Sequence, residues 1–463
     1  MVDRALSASL AAERQFGRAG DVLPLTSERM TGPSMKVSSL ESGGPPLRIP
    51  PEVRALLRAL QLRMPDATSL EKLTEKEWTG LLDFCDIAQL TLPMAQLPMK
   101  GFPNWVVERL KTNLSDNVLR FEHVRATYRE VAAALGSAGV EHIVIKGFTQ
   151  SPDYVADPRL RRQSDIDIFC PPESIEAATD ALKAIGYRPS DAGVSYAMAD
   201  HEATLVRPGD WHWRNNLFDP DMPLGIELHF CLWNERVSHI RVPETALFWE
   251  RRTTREVNGL MFPCLCPVDH LAYLTLHILR NLLLGDWIVH HVRELAFFLH
   301  SRAEDESFWQ NWIQTHSPSL RSIEAIVFYY ARAWFDCHLH PVAEQEIDTL
   351  PSACRSWLQR FAGSALELMF ERNKDFLWLQ LSLLSTRREK LKVLRRTLIP
   401  THILSINSPY IRMHNKRLLP AGEGPLWRQY ISYLISRSFT HCRINMAALI
   451  RCLRWRLSLS LPR

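Results

Sequence analysis

The chain has 463 residues, 46% hydrophobic, 23% charged and 9% aromatic, a composition that excludes wholesale disorder, collagen-like repeats and a coiled-coil rod. At about 100–200 residues per domain, the length implies two or three domains around a substantial core. The net charge of +4 hides an asymmetry, because residues 386–463 carry sixteen Lys and Arg against Glu389 and Glu423 (+14), leaving −10 for the first 385. A basic tail on an acidic body points to an anionic partner such as RNA or lipid head groups.

Residues 1–50 mix Ser, Gly, Pro and charge without periodicity, end in Gly43-Gly44-Pro45-Pro46, and read as a disordered leader in which Met30 and Met35 are alternative starts. No apolar stretch there suits a signal peptide. From Pro51 the pattern is helical, with Val53, Leu56, Leu57 and Leu60 at three-to-four spacing, and an N-terminal helical region is expected over 51–136. Phe121, Val124, Tyr128, Val131 and Leu135 form one stripe, which predicts an amphipathic helix from Asn117 that stops at Gly136.

The texture changes over 137–250. Residues 140–145 read as a strand, followed by Lys146-Gly147 and a loop over 148–164 that holds Arg159, Arg161 and Arg162. Residues 165–169 alternate with period two. A helix follows Pro171-Pro172, with Ile175, Ala178 and Leu182 on one face and Gly186 as its stop. Further strands are expected over 203–206 and 225–230. Beyond about 250 the chain reads as helical, divided into a helical domain (251–385) and a basic, mostly helical C-terminal segment (386–463). The most apolar stretch, around 282–287, is interrupted by Arg280, Asp286 and Arg293 before the roughly 18 residues of a membrane span, so no transmembrane span is expected. Nine cysteines at irregular spacing, with no CxxC pair, argue against a disulfide framework and for a reducing, cytoplasmic setting.

Asp165 and Asp167 carry the chemistry. On a strand they project from one face while Ile166 and Ile168 project from the other. Two like charges so placed repel by about 4 kcal/mol at roughly 4 Å and an effective dielectric near 20, so a cation must sit nearby. Glu227 and His229 repeat the alternation against Ile226, Leu228 and Phe230. If the two strands are neighbours, Glu227 becomes a third carboxylate, and three oxygen donors suit magnesium better than zinc. A lone Asp-x-Asp on a strand is common and means little. Cys264-x-Cys266 with His270, and Cys337-His338-x-His340, lack four-ligand zinc spacing and read as buried thiols and packed histidines. His277 and His290-His291 also read as structural. Residues 446–461 hold Leu449, Ile450, Leu453, Trp455 and Leu457 among Arg451, Arg454 and Arg456, which suits either a helix packed on the body or one on an anionic surface.

The order strand, Lys146-Gly147, loop with Tyr154 and Arg161, Asp165-x-Asp167, helix, Gly186-Tyr187, strand, Glu227-Leu228-His229 resembles the uncharacterised nucleotidyltransferase family of the DNA polymerase β-like superfamily. The diagnostic residues lie in 140–230. The likeness extends less specifically to the helices before 140, to 270–299 and to segments 398–410 and 430–437. It implies an α+β fold, with a small mixed nucleotidyltransferase sheet between the N-terminal helical region and a larger C-terminal helical domain. It implies transfer of a nucleoside monophosphate from an NTP to a hydroxyl of a small molecule, peptide or protein, with release of pyrophosphate. By that likeness Asp165, Asp167 and Glu227 are catalytic and hold two Mg2+ ions, with His229 in a supporting position. Lys146, Gly147 and Arg161 would bind phosphate in place of the superfamily's Gly-Ser motif. A catalytically silent nucleotide-binding module and a tRNA-directed, toxin-like transferase are the alternatives.

Overall fold

The structure is a computed structural model that describes residues 48–190, 200–286, 288–399 and 426–460. Of the leader expected over 1–50, only Arg48, Ile49 and Pro50 fall within it, and residues 400–410 of the family-like C-terminal segment also lie outside the described residues.

Short helices at Pro51–Ala59 and Glu75–Ala88 bury Leu56, Leu57, Trp78, Leu81 and Leu82. Thr74 and Glu77 close the second helix with a capping box. The stripe read from Asn117 belongs to a longer helix, Asn104–Ser137. Its first half, through Val106 and Leu110, joins the core of the helical regions. Its second half, through Phe121, Val124, Tyr128, Val131 and Leu135, covers the sheet. One rigid element therefore ties the N-terminal helices to the sheet.

Among the described residues the sheet has seven strands: β1 (Ile143–Val144), β2 (Asp165–Phe169), β3 (Arg188–Pro189), β4 (Leu205–Val206), β5 (Gly225–His229), β6 (Thr253–Val257) and β7 (Leu260–Cys264), in the spatial order β3-β4-β5-β2-β1-β7-β6. β2 runs parallel to β5 and antiparallel to β1, and β1 runs parallel to β7. The expectation of helix from about 250 onward is corrected here, since β6 and β7 form a hairpin on the edge of the sheet beside β1. Its turn is Asn258-Gly259, both with positive φ (48° and 71°), the conformation a tight hairpin turn requires. The sheet thus runs past residue 250, and helices resume at Pro267–Leu284.

The two faces of the sheet meet different cores. Val144, Ile166, Ile168, Ile226 and Leu228 pack under the Asn104–Ser137 and Ile175–Ala184 helices. Ile143, Ile145 and Phe169 face the larger helical core. That core is built from Pro267–Leu284, Val289–Ser301 and Pro318–Phe335, and encloses Trp309, Trp312, Trp334 and Trp357. The polar side of β2 and β5 therefore looks toward the C-terminal helices.

Candidate active site

In the parallel pair β2 and β5, Asp165 lies opposite Gly225, Asp167 opposite Glu227, and Phe169 opposite His229. Side-chain alternation sends the four aliphatic residues to the far face, all fully buried, and gathers Asp165, Asp167, Glu227 and His229 on the near one. Glycine at 225 is required by space, since a Cβ there would stand 2.7 Å from Thr204 Cγ2. Thr204 uses this approach to donate from Oγ1 to Glu227 Oε1 at 2.9 Å.

The cation that the paired aspartates demand is Lys146. Its Nζ donates to Asp167 Oδ1 at 2.5 Å, and His229 Nε2 lies 2.9 Å from the same oxygen. Burial works to raise Asp167, but Lys146 and His229 hold it well below the usual carboxylate range. Asp165 is displaced the other way, raised by burial and by Asp167, although Ser164 Oγ donates to it at 3.1 Å. Burial and the Asp165 and Asp167 carboxylates push Glu227 up to about 7. Burial and Lys146 lower His229, which keeps its imidazole neutral at pH 7.

Lys146 owes its position to its neighbour. Gly147 has φ +69°, and a Cβ there would fall 2.2 Å from Gln163 Nε2. Gln163 in turn donates to the carbonyl of Asp165 at 2.7 Å, so the glycine lets the loop before β2 close onto the turn after β1. Arg161 does not stand free beside the carboxylates. Its Nε pairs with Glu294 Oε1 at 2.7 Å, and the chain of contacts continues from Glu294 to His291 (3.4 Å) and from His291 to His277 (3.3 Å). Burial would raise Glu294, yet Arg161 and His291 keep it well below its ordinary value. Arg159 is occupied locally by Asp157. Arg161, Arg162, His290 and Arg293, with Asp86 and Glu294, line a small cleft of about 70 Å³ between the N-terminal helices and the Val289–Ser301 helix.

Several participants carried no motif. Asp200 Oδ2 lies 4.0 Å from His229 Nδ1 and accepts from Arg280 Nη1 at 2.9 Å, and His201 Nε2 lies 3.7 Å from Glu227 Oε2. Arg280 had one sequence signal, the one formal charge in the mostly apolar stretch that follows Asp269 in the Pro267–Leu284 helix.

Asp167, Glu227 and His229 each present a ligand atom, all within 4.8 Å of one another, and no other such grouping of three occurs among the described residues. The compact trio thus takes in His229, expected only in support, in place of Asp165. Two carboxylates and an imidazole suit a borderline divalent ion, whereas Mg2+ would draw on the carboxylate oxygens, Asp165 included. The cysteine-containing clusters are satisfied by protein contacts instead: Cys266 Sγ contacts Asp269 at 3.2 Å, and His340 stacks on Trp309 and meets Glu306 at 3.1 Å.

A mixed sheet whose adjacent parallel strands carry facing carboxylates, with a lysine just past the end of the neighbouring strand, is the arrangement that the sequence resemblance implies. The chain belongs to the uncharacterised nucleotidyltransferase family, whose model matches residues 74–336, and is an enzyme of that type. The match begins just before the Glu75–Ala88 helix, takes in the whole sheet and ends just after the Pro318–Phe335 helix, leaving the Pro51–Ala59 helix outside. Comparison with curated proteins and with solved structures gives no significant match.

Proposed function

We propose that the chain transfers a nucleoside monophosphate from an NTP to a hydroxyl group of a small molecule, peptide or protein, in a reaction that depends on Mg2+. The observation that carries this reading is the β2–β5 register, which sets Asp167 opposite Glu227 with Asp165 on the same face. Asp165, Asp167 and Glu227 would hold two Mg2+ ions, with His229 close enough to share one. When bound, these ions supply positive charge to the triphosphate and acceptor oxygens. The acceptor oxygen bonds to the α-phosphorus as the bond from that phosphorus to the bridging oxygen breaks, and pyrophosphate leaves with the electron pair. Glu227 would take the acceptor's proton as a carboxylate. Lys146 meets phosphate as a point charge once an ion takes its place at Asp167, and Arg161 lines the neighbouring cleft with its partner Glu294. No helix among the described residues is long and apolar enough to span a membrane.

Incubation of the protein with Mg2+ and α-labelled NTPs should label an acceptor or the protein itself. The Asp165→Ala/Asp167→Ala double variant should not do so, and equal labelling by both proteins would refute the reading.

A further inference from the structure

The Leu426–Ser460 helix has two apolar faces. The inner one packs on the body through Ile444, Ala448, Cys452 and Trp455, all buried. Trp455 Nε1 donates to Ser356 Oγ at 3.1 Å, Asn445 Nδ2 to the Leu398 carbonyl at 2.9 Å, and Arg451 pairs with Asp375 at 3.1 Å. At about 100° per residue, a second row lies roughly half a turn away. It runs through Trp427, Ile431, Ile435 and Phe439 in steps of four, then Met446, Ile450, Leu453 and Leu457. All eight are exposed, from 43% at Ile450 to 73% at Phe439. The row is about 45 Å long at 1.5 Å per residue.

We propose that this outer face is a docking surface for an anionic lipid bilayer, with the catalytic body held on the opposite side of the helix. Charge selects the partner. The helix contains six arginines and no aspartate or glutamate. By helical phase, Arg443 and Arg454 border the apolar row on one side and Arg456 on the other, and all three are exposed. Aliphatic side chains flanked by arginines suit the boundary between acyl chains and head groups, where the stems lie in apolar surroundings and the guanidinium groups reach phosphate. RNA would satisfy the arginines but leave Ile435, Met446, Ile450 and Leu453 against water, since it binds through phosphate contact and ring stacking. A second copy of the helix would bring six more positive charges against these six with no carboxylate between them. A membrane surface answers both the charge and the aliphatic row.

The test uses the full chain and co-sedimentation with phosphatidylcholine vesicles, with and without about one-third phosphatidylserine. Partition into the anionic vesicles should exceed that into neutral ones by about tenfold or more. Phe439→Ser/Leu453→Ser should remove most of that gain, and Arg443→Gln/Arg454→Gln should reduce it severalfold. All four side chains are exposed, so the thermal melt of each variant should match the wild type and separate lost docking from lost folding. No partition into anionic vesicles would overturn the proposal, as would partition indifferent to the serine pair. A dimer in sedimentation velocity that the serine pair dissociates would assign the face to a second copy. Binding to an RNA oligonucleotide without binding to vesicles would assign the arginines to nucleic acid.

Discussion

Replacing Lys146 by Met keeps most of the side-chain stem and deletes the charge that offsets the carboxylate cluster. The Lys146 and Asp167 side chains are only 16% and 5% exposed, and their atoms stand 2.5 Å apart. Removing one partner of a buried pair costs about 3–5 kcal/mol, because the other charge stays desolvated. His229 remains on Asp167 and, freed from the ammonium that lowers it, binds a proton more readily, so the low end, about 3 kcal/mol, is expected. Urea unfolding at pH 7 in a chelator measures this loss. Asp167 is held below its ordinary value by Lys146, so its stabilising contribution is present above that value and is lost as pH falls through the folded one. The gap between wild type and variant should therefore narrow toward and below about pH 4. Added Mn2+ or Mg2+ should stabilise the variant more than the wild type, because the ion replaces the lost positive charge. A gap under about 1 kcal/mol at pH 7, or one that widens in acid, would refute the assignment of Lys146 as the counter-charge.

Glu227→Gln should stabilise the metal-free protein by about 3 kcal/mol at pH 8 and have no such effect below about pH 4.5, because the raised carboxyl costs stability as pH climbs from 4.5 to about 7. Denaturant melts across that range check it, while NMP transfer should fall with the loss of the third carboxylate. His316 is fully buried between Glu324 (3.0 Å) and Asp269 (3.6 Å). Burial opposes its charge, but Glu324 and Asp269 push it up to about 9. Its stabilisation, about 3 kcal/mol, is fully present below about pH 6.5 and lost as pH rises through about 9, so His316→Gln should flatten the alkaline limb of the pH–stability curve. Gly147→Ala forces a Cβ into Gln163 at a positive φ and should cost about 2 kcal/mol or more in thermal or urea unfolding, with activity lost alongside.

The sequence by itself determined the local parts of this protein. Strand alternation fixed which face Asp165, Asp167, Glu227 and His229 occupy, because it follows from backbone geometry alone, and the fully buried Ile166, Ile168, Ile226 and Leu228 bear it out. The Asn258-Gly259 hairpin is missed in the reading of the chain beyond 250 as helical, although an Asn-Gly pair is the signal that favours such a turn. Only the tertiary structure decided what converges. It set β2 beside β5 across more than fifty intervening residues, turned Arg161 to Glu294 on a distant helix, and drew Asp200 to His229 and Arg280 to Asp200. These pairings depend on which surfaces the packed cores press together, and such long-range contacts leave no periodic mark on the chain. The C-terminal helix shows both limits. Its cationic and apolar residues are plain in the sequence, but which apolar row the body would bury and which it would leave outside was set by the fit of Trp455 and Cys452 into the helical core.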